Sequence, residues 1–347
     1  MGAEKGWPFV AETPSPACLA ERTWPRVTLV TPSYQQGDYL EETILSVLNQ
    51  GYPNLEYIVM DGGSSDGSVE IIKKYASRLA GWESKQDRGQ SHAINKGWRN
   101  ATGEFLWWIN ADDVLTPLSL FRSVSYLMDH PSFGAVYGDL AIIDSCGEKV
   151  GVQKYHLFSY QAVLEFGYDI SQPGALMRRS CIEQVGFLNE ELHLVMDLDY
   201  WHRLALEGIR IAHLPEILAL FRVYDDTKTQ SSPTHLIQER YYVARSILNH
   251  RRFLDEFMGL NNAVWSWTHA SCARGYAKSG AFGLGFSESV KSVRKRPTAL
   301  FEGKWWYVLI LNLLGLLVGR KCWLKLRSLV RKHRRKGASD SSILGSI

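Results

Sequence analysis

Three short apolar runs constrain this chain more than anything else in it: "RVTLVT" (26–31), "EYIVMD" (56–61) and "EFLWWIN" (104–110). Each is rich in β-branched or aromatic residues, is too short for a helix, and stops abruptly in a polar loop. Helical periodicity fills the intervals. Asp38 is placed to cap a helix whose apolar face is Leu40, Ile44, Val47 and Leu48. After the glycine turn "GGSSDG", Asp66 opens a second helix carrying Val69, Ile72 and Leu79. An extended piece near Trp82 and the helix "GQSHAINKGWRNA", ending at Gly103, complete the series. Strands and helices alternating at these spacings imply right-handed crossovers and a mostly parallel, Rossmann-like α/β sheet flanked by helices. Past Pro117 the pattern predicts a helix to about Asp129 and a strand at "GAVYGD" (134–139). Short strands then mix with the helix "DLDYWHRLALEG", whose Leu198, Trp201, Leu204 and Ala205 share one face.

The third run leads into two adjacent acids, Asp112 and Asp113. Neighbouring carboxylates repel and raise each other's pKa. In an open parallel sheet, ligands bind beyond the carboxyl ends of the strands, at the switch in strand order. Thr31–Tyr34, Asp61 and Asn110–Asp113 all leave strands at that edge. Two carboxylates with room for water suit Mg²⁺ or Mn²⁺, whose shell is completed by phosphate oxygens. A bound cation also stabilises both ionised acids. The alternative is that Asp112 caps the next helix and Asp113 is solvated.

Charge divides the 347 residues. Residues 291–336 hold fourteen Lys/Arg and one acid, Glu302; the remainder holds 25 Lys/Arg against 35 Asp/Glu. An acidic body argues against a nucleic-acid polymer as partner. The basic end suits an anionic membrane surface. There "WWYVLILNLLGLLVG" (305–319) is 15 uncharged residues, short of the roughly 20 that cross a bilayer. Trp pairs and a cationic run beside it suit a helix in or on the membrane face; a core helix with a solvated tail is the alternative. Twelve Trp serve interfaces and membrane boundaries as well as cores. The five Cys are dispersed, and the N-terminus lacks a signal-peptide core. Both features favour a cytoplasmic protein, peripheral on the inner face of the membrane. No Cys/His cluster, P-loop or G-x-S-x-G is present.

Three stretches resemble family 2 glycosyltransferases of the bacterial type and GT-A fold. They are "VTLVTPSYQQGDYLEETILSVLNQGYPNLEYIVMDGGSSDGSVEII", "DRGQSHAINKGWRNATGEFLWWINADD" and "SQPGALMRRSCIEQVGFLNEELHLVMDLDYWHRLALEG". The resemblance covers about residues 26–230 and implies a nucleotide-sugar donor (UDP-, GDP- or dTDP-linked), a divalent metal and inversion at the anomeric carbon. It implies that Pro32, Ser33 and Tyr34 line the nucleotide pocket, with Asp61 beside the base. It puts Asp112 near ribose and metal and makes Asp113 the main metal ligand. Two departures stand out: the family's D-x-D reads "NAD", with Asn110 first, and Gly62 replaces the second acid after the second strand.

Transfer requires a stabilised leaving diphosphate, a base for the acceptor hydroxyl and substrates held in line. The family slot for the base falls on Asp197, with Asp199 as competitor. Val195 and Met196 are placed to desolvate Asp197 and raise its pKa; a helix cap is its plain alternative. Arg88, Gln90 and Asn95 are donor-side candidates around a helix N-terminus, although Arg88 also reads as an exposed turn. Gln172, with Pro173, shapes the floor or is a simple turn, and His193 flanks the acceptor. Arg222 meets the diphosphate or forms a surface ion pair.

The expected organisation begins with a leader (1–25), a nucleotide-sugar half (26–116) and an acceptor-binding catalytic half (117–235). A helical extension (236–303), a membrane-associating segment (304–336) and a tail (337–347) follow. The expected reaction moves a sugar to a hydroxyl of a glycan or lipid-linked acceptor in cell-envelope or exopolysaccharide synthesis. The rivals are a nucleotidyltransferase, which wants a basic glycine-rich loop that "TPSYQQGD" lacks, and a non-catalytic sugar-nucleotide-binding scaffold.

Overall fold

A computed structural model describes residues 7–8, 22–167, 170–224, 233–298 and 305–318. Most of the leader, the basic run 320–336 and the tail 337–347 lie outside the described residues. The described chain forms two compact units. One runs to Phe158 and resumes over Ile170–Val223; the other holds the described part of Ser159–Asp169 and everything described from Tyr224 onward.

The first unit opens with β1 (Val27–Ser33), buried along its whole length. Such a strand needs cover on both faces, and β-branched Val and Thr supply the fit. Helix α1 (Leu40–Leu48) and β2 (Leu55–Asp61) follow. Asp38 does not cap α1: the cap is Tyr39, with no side-chain hydrogen bond, because the helix begins one residue later than the spacing suggested. Helix α2 (Ser68–Tyr75) begins two residues after Asp66 and buries Ile72. Leu79 falls beyond it, in extended backbone. Asp66 instead accepts Ser68 N and Gly37 N, tying the loops after β1 and β2 together. Then come β3 (Gly81–Ser84), α3 (Gln90–Asn100), β4 (Phe105–Trp108), β5 (Val114–Leu115) and α4 (Ser119–Asp129). Helix α3 stops three residues short of Gly103.

Strand β6 (Ala135–Ile143) continues well past Asp139, and β7 (Lys149–Gln153) pairs with it. Helix α5 (Tyr160–Phe166) belongs to the second unit. The first resumes with β8 (Leu176–Arg178), α6 (Arg179–Val185), α7 (Met196–Leu206) and β9 (Ile211–Arg222). Sheet order is β3-β2-β1-β4-β8-β6-β9-β5. The first four strands are parallel, β8 reverses direction, and β9 runs parallel to β6. Register levels the carboxyl ends of the parallel strands: Ser33 sits beside Asp61, and Asp61 beside Ser84. Against β9, the short β5 pairs Val114 with Leu220, which carries the acid pair to the end of β9.

The tryptophans of "FLWW" are core residues. Trp107 and Trp108 stack at 4.3 Å, and Trp201 of α7 lies 5.0 Å from Trp107. Trp98 of α3 and Tyr200 of α7 close the cluster at 5.6 Å. Large rings buried together contribute area and favourable edge geometry.

The second unit contains α5, α8 (Pro233–Asn249), α9 (Asn261–Ser279), α10 (Phe282–Lys295) and α11 (Trp305–Val318). A buried polar knot joins three of them. Glu288 of α10 accepts from Tyr241 of α8 at 2.7 Å and meets His269 of α9 at 2.7 Å and Lys291 at 2.7 Å. No helix among the described residues is long and apolar enough to cross a membrane.

Candidate active site

Four loops leave the levelled strand ends of the first unit. After β2, the Asp61 carboxylate folds its own turn. It accepts Gly63 N at 3.0 Å, Ser64 N at 2.8 Å, Ser64 Oγ at 2.6 Å and Ser84 Oγ at 2.7 Å. Asp61 thus holds the pocket wall, with little of its carboxylate left for a ligand. After β1, Tyr34 is exposed, and the buried Ser33 Oγ has no hydrogen-bond partner among the described residues. Buried hydroxyls are ordinarily paired, so Ser33 has capacity for an incoming group. Gly62 is explained by its neighbours. A Cβ there would lie 3.1 Å from Asp87 Oδ2 and 3.2 Å from the Tyr34 ring. A second acid at position 62 would crowd a carboxylate already supplied by Asp87.

The acid loop after β4 is built around Asn110. Its Oδ1 accepts Gln90 Nε2 at 2.7 Å, while its Nδ2 donates to Gln172 Oε1 at 3.0 Å and to Asp113 Oδ2 at 3.2 Å. Gln172 is fixed in turn: its Nε2 donates to Trp108 O at 2.9 Å, so its oxygen must face Asn110. Gln90 and Gln172 therefore bracket the acids, and both are brought to the site.

Asp113 is fully buried and Asp112 half-exposed. Burial, and then the Asp112 charge, push the Asp113 carboxyl well above the ordinary carboxylate range. Among the described residues its Oδ1 accepts Arg222 N at 3.2 Å and its Oδ2 the Asn110 amide, which leaves each oxygen a lone pair there. Arg222 is no surface residue. Its guanidinium is buried over the Tyr39 ring at 4.7 Å and donates to Asp112 O at 3.0 Å, Asp144 O at 3.1 Å and Glu42 Oε2 at 2.5 Å. It is the post on which the acid loop hangs, and α1 braces that loop again through Thr43 Oγ1 to Asp113 O at 2.8 Å.

With Asp112, Asp113 and Glu42 gathered around the single cation of Arg222, and Glu42 paired with its guanidinium through the side chain, the loop carries excess negative charge when ionised. No group of three or more His, Cys, Asp or Glu among the described residues could hold a metal. Two adjacent acids at a strand end do fit an ion that takes the rest of its shell from diphosphate and water.

The remaining candidates lie along the loop before α7. Asn95 is buried and tethers this loop, donating to Leu188 O at 2.9 Å and Glu190 Oε1 at 3.0 Å and accepting Leu188 N at 3.0 Å. Its amide is used within the protein, so Asn95 contributes scaffold. Ser91 Oγ adds a bond to Leu192 O at 2.9 Å. Arg88 is exposed and pairs with Glu190, which also takes Arg99. Burial opposes ionisation of Glu190, but hydrogen bonds from Asn95, Arg88 and Arg99 outweigh it and hold the carboxyl down at about 2. His193 is exposed, with its Nδ1 close above Gly89 at the head of α3. Asp197 is half-exposed in the first turn of α7, where Oδ1 accepts Leu198 N at 2.8 Å; Val195, not Asp197, is the cap. Asp199 is buried and bound to Arg203 Nε at 2.8 Å, and Arg203 reaches on to Val185 O and Phe187 O. Burial raises the Asp199 pKa and Arg203 partly offsets it.

Strand order and this loop set are those of the GT-A glycosyltransferase fold. S. aureus TarS, crystallised with UDP-GlcNAc, superposes with a TM-score of 0.55 at 15% identity, covering 80% of this chain and 92% of that one. A Pyrobaculum calidifontis mannosyltransferase in complex with GDP-Man and Mn²⁺ gives 0.50 at 20% identity, covering 84% and 87%. Residues 28–186 match the family described as Glycosyl transferase family 2. The chain is a glycosyltransferase. Among curated relatives, the putative teichuronic acid biosynthesis glycosyltransferase TuaG of Bacillus subtilis is 32% identical over 108 residues, 30% of this chain and 43% of that protein.

Proposed function

We propose that this chain transfers a sugar, with inversion and with Mg²⁺ or Mn²⁺, from a nucleotide diphosphate to a hydroxyl of a glycan or lipid-linked acceptor. Cell-envelope or exopolysaccharide synthesis is the setting favoured by the teichuronic acid relative. The observation that carries the reading is the half-exposed Asp112 beside buried, proton-hungry Asp113, both held at the level ends of parallel strands. Asp112 and Asp113 would hold the ion, which supplies neutralisation of the departing diphosphate. A solved structure of the same fold that contains Mn²⁺ with GDP-Man supports this assignment.

The chain's own residues divide the rest of the work. Pro32, Ser33 and Tyr34 line the nucleotide side, with the Ser33 hydroxyl available to a ribose or base. Asp61 and Asp87 shape the wall beside the base. Gln90 and Gln172, clamped on Asn110, fix the orientation of the acid loop, and Arg222 fixes its position. Asp197 takes the acceptor proton. It is the more exposed of the two helix carboxylates, whereas Asp199 is bound to Arg203. His193 stands on the acceptor side. The basic end suits the cytoplasmic membrane face as the site of lipid-linked acceptors.

The test is a panel of UDP-, GDP- and dTDP-sugars with Mn²⁺ or Mg²⁺, read by thermal unfolding and by release of nucleoside diphosphate. A matching donor at about 100 times its Kd adds about 2.7 kcal/mol, and chelation removes the effect. If no nucleotide sugar shifts the transition at any metal concentration, the donor assignment is wrong.

A further inference from the structure

Helix α11 presents two faces of opposite commitment. Val308, Asn312 and Gly315, spaced i, i+4, i+7, face inward. Val308 and Asn312 are buried, and Asn312 Nδ2 donates to Ala273 O of α9 at 3.3 Å. Gly285 of α10 sits against Asn312, and Gly315 against Phe282, each closely enough that a Cβ would overlap its neighbour (2.0 and 2.2 Å). The face diametrically opposite carries Ile310, Leu313, Leu314 and Leu317, all exposed, with Leu317 at 82%. A helix lying on a water-soluble domain is polar on that side. This one has no charged residue anywhere in its 14.

We infer that this ridge is an in-plane membrane anchor: α11 lies flat on an anionic bilayer with Ile310, Leu313, Leu314 and Leu317 among the acyl chains. The length of the described helix and its packing both favour lying flat over spanning. Fourteen residues extend about 21 Å as a helix, against roughly 30 Å of hydrocarbon. Turning α11 across the bilayer would also pull Asn312 and Gly315 from α9 and α10. The bilayer is preferred to a second copy of the chain on two grounds. The ridge offers on the order of 400 Å², about half of what one partner contributes to a stable interface. Immediately beyond α11, residues 320–336 carry nine Lys/Arg and no acid. Two copies would bring these like charges together, whereas an anionic surface attracts them. Lys291, Arg294 and Lys295 of α10 add to the same balance.

The inference deepens the membrane-face reading above and rests on it, so the test separates the two. The full chain is sedimented with vesicles of phosphatidylglycerol in phosphatidylcholine, and with phosphatidylcholine alone, at low and high salt. Three variants accompany it: Leu313→Glu with Leu317→Glu, Leu317→Glu alone, and truncation after Val318. The double variant is expected to lose about a hundredfold in partitioning, and the single one about tenfold, at either salt concentration. Truncation should abolish only the salt-sensitive part. Because Leu317 touches little, the single variant decides the matter if circular dichroism shows the double one misfolded. Ridge variants that bind as the full chain does would overturn the anchor while leaving peripheral binding intact. A full chain that ignores both vesicle types removes the membrane reading as well. Light scattering that shows a dimer broken by the ridge variants, without vesicle binding, assigns the ridge to a second copy and overturns the inference.

Discussion

Replacing Asn110 by Asp restores the acid that the family motif carries at this position, and the structure predicts that the metal-free protein will suffer for it. The Asn110 amide donates to Gln172 Oε1 at 3.0 Å and Asp113 Oδ2 at 3.2 Å. A carboxylate there turns both contacts into acceptor against acceptor. Two full charges at 3.2 Å repel by about 5 kcal/mol at an effective dielectric constant of 20. The site avoids most of this by keeping a proton, so the net cost at pH 8 is about 2–3 kcal/mol. The pH dependence follows from that proton. A carboxyl whose folded pKa lies above its unfolded value costs nothing below about pH 4 and progressively more as pH rises. Urea unfolding of wild type and Asn110→Asp, between pH 5 and 8 and with or without Mn²⁺, measures the difference. The gap should widen with pH and close again in Mn²⁺, which the third carboxylate binds more tightly. A variant as stable as wild type at pH 8 without metal, or a gap indifferent to pH, refutes the charge argument.

Asp197→Ala should lower kcat by about 10²–10⁴-fold while the nucleotide sugar, followed by calorimetry, binds as before. Asp199→Asn should cost stability instead, about 1.5–3 kcal/mol for the lost charge-assisted hydrogen bond to Arg203, seen in urea midpoints with the donor KM unchanged. Glu190→Gln tests the loop before α7. The folded Glu190 carboxyl sits at about 2, so its stabilisation is complete above its unfolded value and is lost as pH falls from about 4.5 to 2. After solvent screening the variant should lose about 1–2 kcal/mol at neutral pH and show a flatter acid-unfolding profile.

What could be read from the sequence was local. Val27–Ser33, Leu55–Asp61 and Phe105–Trp108 declare themselves by β-branching, aromatic content and length, and the helices between them by periodicity. Adjacent acids after a strand are also a local signal, and the Asp112–Asp113 loop was found that way. What escaped was decided by partners distant in the chain. Arg222 reads as either a diphosphate contact or a surface ion pair until β9 pairs with β5 and seats it, buried, beside Asp113. Asn95 reads as a ligand contact until Leu188, 93 residues away, takes its amide. Asp87 has no motif to announce it; only the space beside Gly62 does. Glu42 and Thr43 carry no motif of their own; only the return of the chain sets them to brace the acids. The Asp199–Arg203 pair, spaced i, i+4, was the exception, a local contact that could have been noticed.

The bond from Arg222 N to Asp113 Oδ1 joins residues 109 positions apart. This has a consequence for the order of assembly during synthesis. The first four strands, all parallel, are complete by Trp108 and can collapse as soon as they leave the ribosome. The acid loop must wait for β9, which follows a hundred residues later and closes the largest loop in this unit. A nascent chain therefore has its first four strands and the Asp61 turn well before Arg222 arrives to brace the Asp112–Asp113 loop.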